Sequence, residues 1–197
     1  MVYFCPNSDE PRYDTPAEPT YSASPLTEKT RILNDALFRA ASRGHGEKIR
    51  DLIHNGADAN ADQNGTTLLI ESAMRGTVPV TKTLLSMKGI KVNCRNHAGQ
   101  SALWCAAYHG NLKIVRLLLE KKDIQIDCKD ESGITPLAIA AVGEHTKHTK
   151  VVKLLLAKGA NTKARDTVWN MTPESWAERV GNVDTVDALR NFQPEPR

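Results

Sequence analysis

Aromatic residues are scarce in this chain, at 5% of the total, and the patterns that mark most chemistries are missing. There is no Gly-rich phosphate loop, no Gly-x-Ser-x-Gly elbow and no deaminase-type cysteine pair, so the usual marks of nucleotide, acyl-transfer and deaminase sites are absent. Neither Cys-x-x-Cys nor His-Glu-x-x-His spacing occurs, which leaves a zinc site without a ligand framework. No apolar run approaches the roughly 18 residues that a membrane-spanning helix needs. The first residues, MVYFCPNSDEP, lack a basic flank and an apolar core and are not expected to act as a signal peptide. The four cysteines do not read as a disulfide framework, and a reducing, intracellular location (cytoplasmic or nuclear) is expected. Net charge is +3, too small to imply nucleic acid. Residues 1–25 hold four acids against one base, which leaves the remainder at +6. A solvated surface accounts for that asymmetry as well as an acidic partner does.

What the chain does have is a repeat. Asp62, Asn96 and Asp130 stand 34 residues apart, and Gly65, Gly99 and Gly133 follow each by three. A fixed period of this length marks a stacked-repeat fold. The stretch 96–130 shows the unit. Gly99 permits a tight turn, and Ser101 is placed to cap a short helix over Ala102 to Tyr108. Gly110 breaks that helix, and a second is expected over about Leu112 to Glu120, with Ile114, Val115, Leu118 and Leu119 on one face. So short a pair cannot bury that face alone and must stack on like neighbours.

The units are expected at about 34–63, 64–96, 97–130, 131–166 and 167–191, within a repeat domain over 27–191. Residues 1–26, Pro-rich and acidic, read as a flexible tail, and 192–197 are expected to fray. Lys88-Gly-Ile-Lys-Val-Asn and Lys122-Asp-Ile-Gln-Ile-Asp end the second and third units, so those two connections should match. The fourth unit carries an insertion, Val142 to Lys150, which reads as a polar surface loop between its helices. Asn64-Gly-Thr and Asn170-Met-Thr match the glycosylation triplet but fall where the turns are expected, and read better as turn chemistry.

The unit resembles the ankyrin repeat. The resemblance rests on Gly133-Ile134-Thr135-Pro136-Leu137 with Ala140-Ala141, on Gly159-Ala160-Asn161, and on Gly44-His45 and Gly56-Ala57-Asp58. It implies an all-α solenoid of helix-turn-helix units with short β-turn fingers and capping end repeats. It also implies a protein–protein interaction module, a scaffold or adaptor that presents a rigid concave groove to another protein. Stacking of this kind would hold Cys94 and Cys128, which occupy one position in adjacent units, about 10 Å apart, beyond the reach of a disulfide. The family's histidine after Thr-Pro-Leu is replaced by Phe38, Ile70, Trp104, Ala138 and Ser175, which puts the usual hydrogen bonding between neighbouring turns in question.

In ankyrin-like stacks, partners are held by turn tips and the exposed side of the first helices. Mapped here, those positions include Met74, Arg75, His97, Gln100, Tyr108, His109, Glu131, Ile134 and Trp169. Tyr and Arg favour hot spots and Met adapts to varied partners, so the Met74–Arg75–Tyr108–His109 strip stands out. Trp104 reads as core packing before groove, and Trp169 and Trp176 as a seal on the last unit. The alternative is a small enzyme or small-molecule binder using Glu71, Cys105, Tyr108 and His109, with Cys105 and His109 at helical i, i+4 spacing. Against it, Cys105 sits between Trp104 and Ala106 like a small buried hydrophobe. His145 and His148 in the inserted segment read as solvated, and no metal or cofactor is expected. Lys147, Lys150, Lys153, Lys158, Lys163 and Arg165 lack interleaved aromatics, so nucleic acid is not the expected partner.

Overall fold

A computed structural model describes residues 25–192. Ten helices and one small hairpin follow one another in pairs over these residues. The first pair is α1 (Pro25–Ser42) and α2 (Gly46–His54), followed by the hairpin β1 (Asp62–Gln63) and β2 (Thr66–Thr67). Then come α3 (Leu68–Arg75) and α4 (Val78–Ser86), α5 (Ala102–Tyr108) and α6 (Leu112–Leu119). The last pairs are α7 (Pro136–Ala141) with α8 (Thr146–Ala157), and α9 (Pro173–Val180) with α10 (Val183–Arg190). Odd-numbered helices pack in one row, α1 on α3 on α5 on α7 on α9, and even-numbered helices in a second. This is the expected all-α solenoid of helix pairs.

The local chemistry is the same in each unit. Thr67, Ser101, Thr135 and Thr172 lie in extended conformation before the first helices, and each hydroxyl accepts from the third helical amide at 3.2–3.4 Å. Such caps are worth about 1 kcal/mol each. Pro136 and Pro173 take the first helical position, where no amide is needed. The second helices then carry one core stripe: Ile114, Val115, Leu118 and Leu119 in α6, and Val151, Val152, Leu155 and Leu156 in α8. Ala106 and Ala107, with no exposed surface, sit where the first helices meet.

Between the helix pairs run the fingers. The first is a true hairpin, turned by Asn64 and Gly65 with φ of 52° and 72°, the Asn-Gly geometry that matches strand twist. Asn170 shares the left-handed conformation (φ 55°), so both glycosylation-like triplets begin on turn residues, as the sequence suggests. The second finger keeps a single bridge, Arg95 to Ser101. Each finger lies on the next, with the Glu131 amide donating to Ala98 O and the Thr167 amide to Ser132 O.

Side chains also bind each repeat to its successor. Asn60 donates to Gly89 O and accepts from the Lys91 amide; Asn93 donates to Asp123 O and accepts from the Gln125 amide. The two connections expected to match do so bond for bond. Asn34 and Asp127 extend the ladder to Asp58 and Asn161. Trp104 restores a link between turns where the family's histidine is missing, since its Nε1 donates to Ile134 O at 3.1 Å. Only 6% of its surface is exposed, so the core-packing reading of Trp104 holds.

Several expectations need correction. The insertion at 142–150 is not a long surface loop. Residues from Thr146 onward are helical, and the extra length becomes another turn of α8, which has 12 residues against 8 in α6. Adding a turn at a helix end leaves the downstream core stripe in register, whereas a polar loop would leave its amides without helical partners. His148 is therefore not solvated but buried, at 6% exposure. The first helix starts at Pro25 rather than near Thr27. At the other end Phe192 packs against the core. The tail at 1–24 and residues 193–197 lie outside the described residues. Cys105 and Cys128 are free thiols, but Cys94 is disulfide-bonded. The expectation that the cysteines build no disulfide therefore does not hold for Cys94.

Candidate functional site

The expected interaction residues are held by two kinds of support, finger turns and the ends of first helices. On the fingers, His97 is exposed, and its imidazole lies over Gly65 so closely that a Cβ there would meet Nε2 at 2.3 Å. Only glycine fits at that contact. Gln100 is half-buried, accepting from Asn96 Nδ2 at 3.0 Å. Glu131 is exposed, and Ile134 is half-buried beneath the Trp104 indole. Trp169 is 53% exposed and meets Trp176 edge-on at 5.2 Å, with the Arg179 guanidinium over both rings. Trp176 donates to Asp166 Oδ2 at 3.1 Å, so it closes the last unit while Trp169 faces solvent. The sealing role expected for both tryptophans falls to Trp176.

At the helix ends, Met74 (39% exposed) and Arg75 leave α3, where Arg75 pairs with Glu71 one turn back. Tyr108 (51% exposed) ends α5, stacked on Trp104 at 5.6 Å and edge-on to His109 at 4.9 Å. The buried Trp104 thus supports an exposed Tyr108. Burial, and then the charge of Lys147, hold the His109 pKa below the ordinary histidine value.

The strip Met74–Arg75–Tyr108–His109 does not form one continuous pocket. Glu71 and Arg75 line a hollow of about 420 Å³ with Asp35, Phe38, Arg39 and Gln63. Tyr108 and His109 line another of about 390 Å³ with Val142, Glu144, His145 and Lys147. Three of the four residues of the enzyme alternative are divided between these hollows, and the fourth, Cys105, lines neither. Its thiol is 2% exposed and burial pushes its pKa up to about 12, so it is a thiol and not a nucleophilic thiolate at neutral pH. Among the described residues no three His, Cys, Asp or Glu side chains converge as metal ligands. Lys147, Lys150 and Lys153 are exposed along α8.

Sequence reasoning missed the residues that tie each second helix to the end of the preceding first helix. Asn111 Nδ2 donates to Ala73 O at 2.8 Å, and Asn182 Nδ2 to Gly143 O at 2.6 Å. Between them, His148 Nε2 bonds Tyr108 O at 3.0 Å, joined by Lys147 Nζ to His109 O at 2.9 Å. The signal was an Asn just after Gly110 and Gly181, with no Asn after Gly143.

Among the described residues no helix is long and apolar enough to cross a membrane. Comparison with known families matches residues 37–130 to a model of ankyrin repeats in three copies and residues 132–167 to a single ankyrin repeat. Ankyrin repeats are generally protein–protein interaction modules. With stacked helix pairs, Thr- or Ser-capped first helices and finger turns across the matched residues, this chain belongs to the ankyrin-repeat family.

Proposed function

We propose that the chain is a scaffold or adaptor that binds another protein along its fingers and first helices, centred on Met74, Arg75, Tyr108 and His109. The observation that carries this reading is where large apolar side chains remain in contact with water. Ile32, Met74, Tyr108, Val168 and Trp169 are exposed on first helices or fingers, against Val183 alone on the second helices, among the described residues. Exposed apolar side chains gathered on one side, with Tyr, Trp, Met and Arg among them, favour association over solvation. A stacked scaffold of this kind loses little conformational freedom on binding, which favours affinity. His97, Gln100, Glu131, Ile134 and Trp169 extend the surface along the fingers. A cytoplasmic or nuclear setting belongs to the same proposal; the free thiols of Cys105 and Cys128 favour it, and the disulfide at Cys94 weighs against it.

Affinity capture followed by titration of the recovered partner tests the proposal. The comparison is wild type against Met74→Ala/Arg75→Ala/Tyr108→Ala, with the variant's Tm first shown to match. Hot-spot truncations cost about 2 kcal/mol or more, so Kd should rise at least roughly 30-fold. Capture and affinity unchanged in the folded variant would overturn the assignment.

A further inference from the structure

The ladder that ties second helices to the ends of first helices uses a neutral amide at two rungs and an imidazole at the third. Asn111 and Asn182 cannot change charge between pH 5 and 8, but His148 can. Its setting is unusually closed. The ring sits between glycines of two repeats: a Cβ on Gly143 would stand 2.1 Å from its Cγ, and one on Gly110 3.0 Å from its Cδ2. Nε2 faces the Tyr108 carbonyl, which can only accept, so Nε2 carries the proton and Nδ1 does not. Nδ1 is buried with no hydrogen-bond partner.

We propose that His148 is an acid-sensitive latch: neutral, it pins α8 to the end of α5, and the cost of charging its enclosed ring loosens that tie and the Tyr108–His109 edge with it. A proton at Nδ1 places a charge on a ring that is only 6% exposed and closed in by Gly143 and Gly110, where little water can solvate it. The surrounding charge adds to the penalty. Lys147 and His145 flank the ring on its own segment, and His109 and Tyr108 face it from the end of α5. Asn182, neutral, bonds the adjacent Gly143 carbonyl, and Glu144, exposed, is the one acid lining the hollow. Burial first, then the charges of Lys147 and His145, hold the His148 pKa below the ordinary value, while hydrogen bonds to the Tyr108 and His145 backbone oppose them. The sign follows. Below about pH 6.5 the unfolded chain takes up a proton that the folded chain refuses, so stability is complete above that pH and falls as pH drops through it, until the folded imidazole also protonates.

The test uses the full chain without any partner, in a His109→Gln background so that one nearby imidazole is silent. NMR of the ring nitrogens should show the Nε2–H tautomer of His148 at pH 7.5, titrating below the ordinary histidine range, with the Tyr108 amide shift following it. Denaturant unfolding at pH 7.5 and 5.5 then compares His148 with His148→Gln, whose side-chain amide reaches the same carbonyl without titrating. The unfolding constant should rise several-fold more on acidification with His148, up to about tenfold, the factor by which an unfolded histidine is protonated at pH 5.5. Equal pH dependence in the two proteins, or an ordinary titration of His148, overturns the latch. If His148→Gln does not fold, the NMR titration decides alone. The consequence for binding rests on the interaction surface proposed above, but these readouts do not involve it, so a failed latch leaves that surface standing.

Discussion

The third and fourth repeats are built on one plan and differ where it matters. Both begin with a finger aspartate or asparagine, a capped first helix and a second helix with an identical core stripe, Ile114-Val115-x-x-Leu118-Leu119 against Val151-Val152-x-x-Leu155-Leu156. The fourth has three residues more, and the chain spends them on an additional turn before the stripe begins. Lengthening there moves no core residue relative to its neighbours, because α6 and α8 still meet along the same rows. The lesson is that a stacked repeat tolerates insertion at a helix start as long as the helix end of the preceding repeat is still tied. In the fourth repeat the tie changes from Asn to His.

The largest effects should come from the stripe. Leu118→Ala and Leu155→Ala each remove a side chain with no exposed surface, and each should cost about 2–5 kcal/mol in denaturant unfolding. If the added turn leaves packing intact, the two losses agree within about 1 kcal/mol, inside that spread. A Leu155→Ala loss far below that of Leu118→Ala would mean the insertion displaces the stripe, and the comparison breaks.

A smaller effect is expected at Gly143, which matters for its close approach to the His148 ring. Alanine there forces the imidazole aside, an overpacking cost of about 1–3 kcal/mol, visible as a Tm several degrees lower. Gly143 is not held in a left-handed conformation, so this loss measures the contact and not backbone strain. A Tm unchanged by Gly143→Ala would show that the slot is looser than described.

The smallest and finest prediction compares the aspartates that open the third and last fingers. Burial raises the pKa of Asp130, only partly offset by the amides of Ile134 and Ser132. Burial would also raise Asp166, but donors from Trp169, Met171, Trp176 and Val168 outweigh it and hold its carboxyl below the usual range. NMR titration should therefore find Asp166 the stronger acid of the two. For Asp166 the stabilisation is present above the unfolded carboxyl pKa and is lost as pH falls through its lower folded value. Asp130 has the opposite sign, since its folded form holds the proton more tightly, so falling pH through its raised value adds stability. Reversed order of the two pKa values would remove the physical distinction between these fingers.

Much of this was readable in the residues. The finger period, the hydroxyl cap at Ser101, the break at Gly110 and the apolar face of the second helix are local signals, each interpretable within one unit. The exposure of Met74, Tyr108 and Trp169 also followed from position in the repeat. What was not readable depended on neighbours 30 to 40 residues away. The Asn34–Asn60–Asn93–Asp127 ladder looks like ordinary turn polarity until the next repeat is stacked on it. The separation of Glu71 from Tyr108 and His109 likewise needs two helices placed side by side.

By itself, then, the sequence determined the repeat, its capped first helices and its stacked architecture, because capping, turn formation and helical periodicity are short-range and act within about a dozen residues. Only the tertiary structure decided the fates of two residue types that look alike in sequence. Two cysteines remain thiols while Cys94 is bonded, and His145 stays at the surface while His148 is enclosed between glycines of successive repeats. Those outcomes depend on which groups the stacking brings together and on how much water it leaves between them.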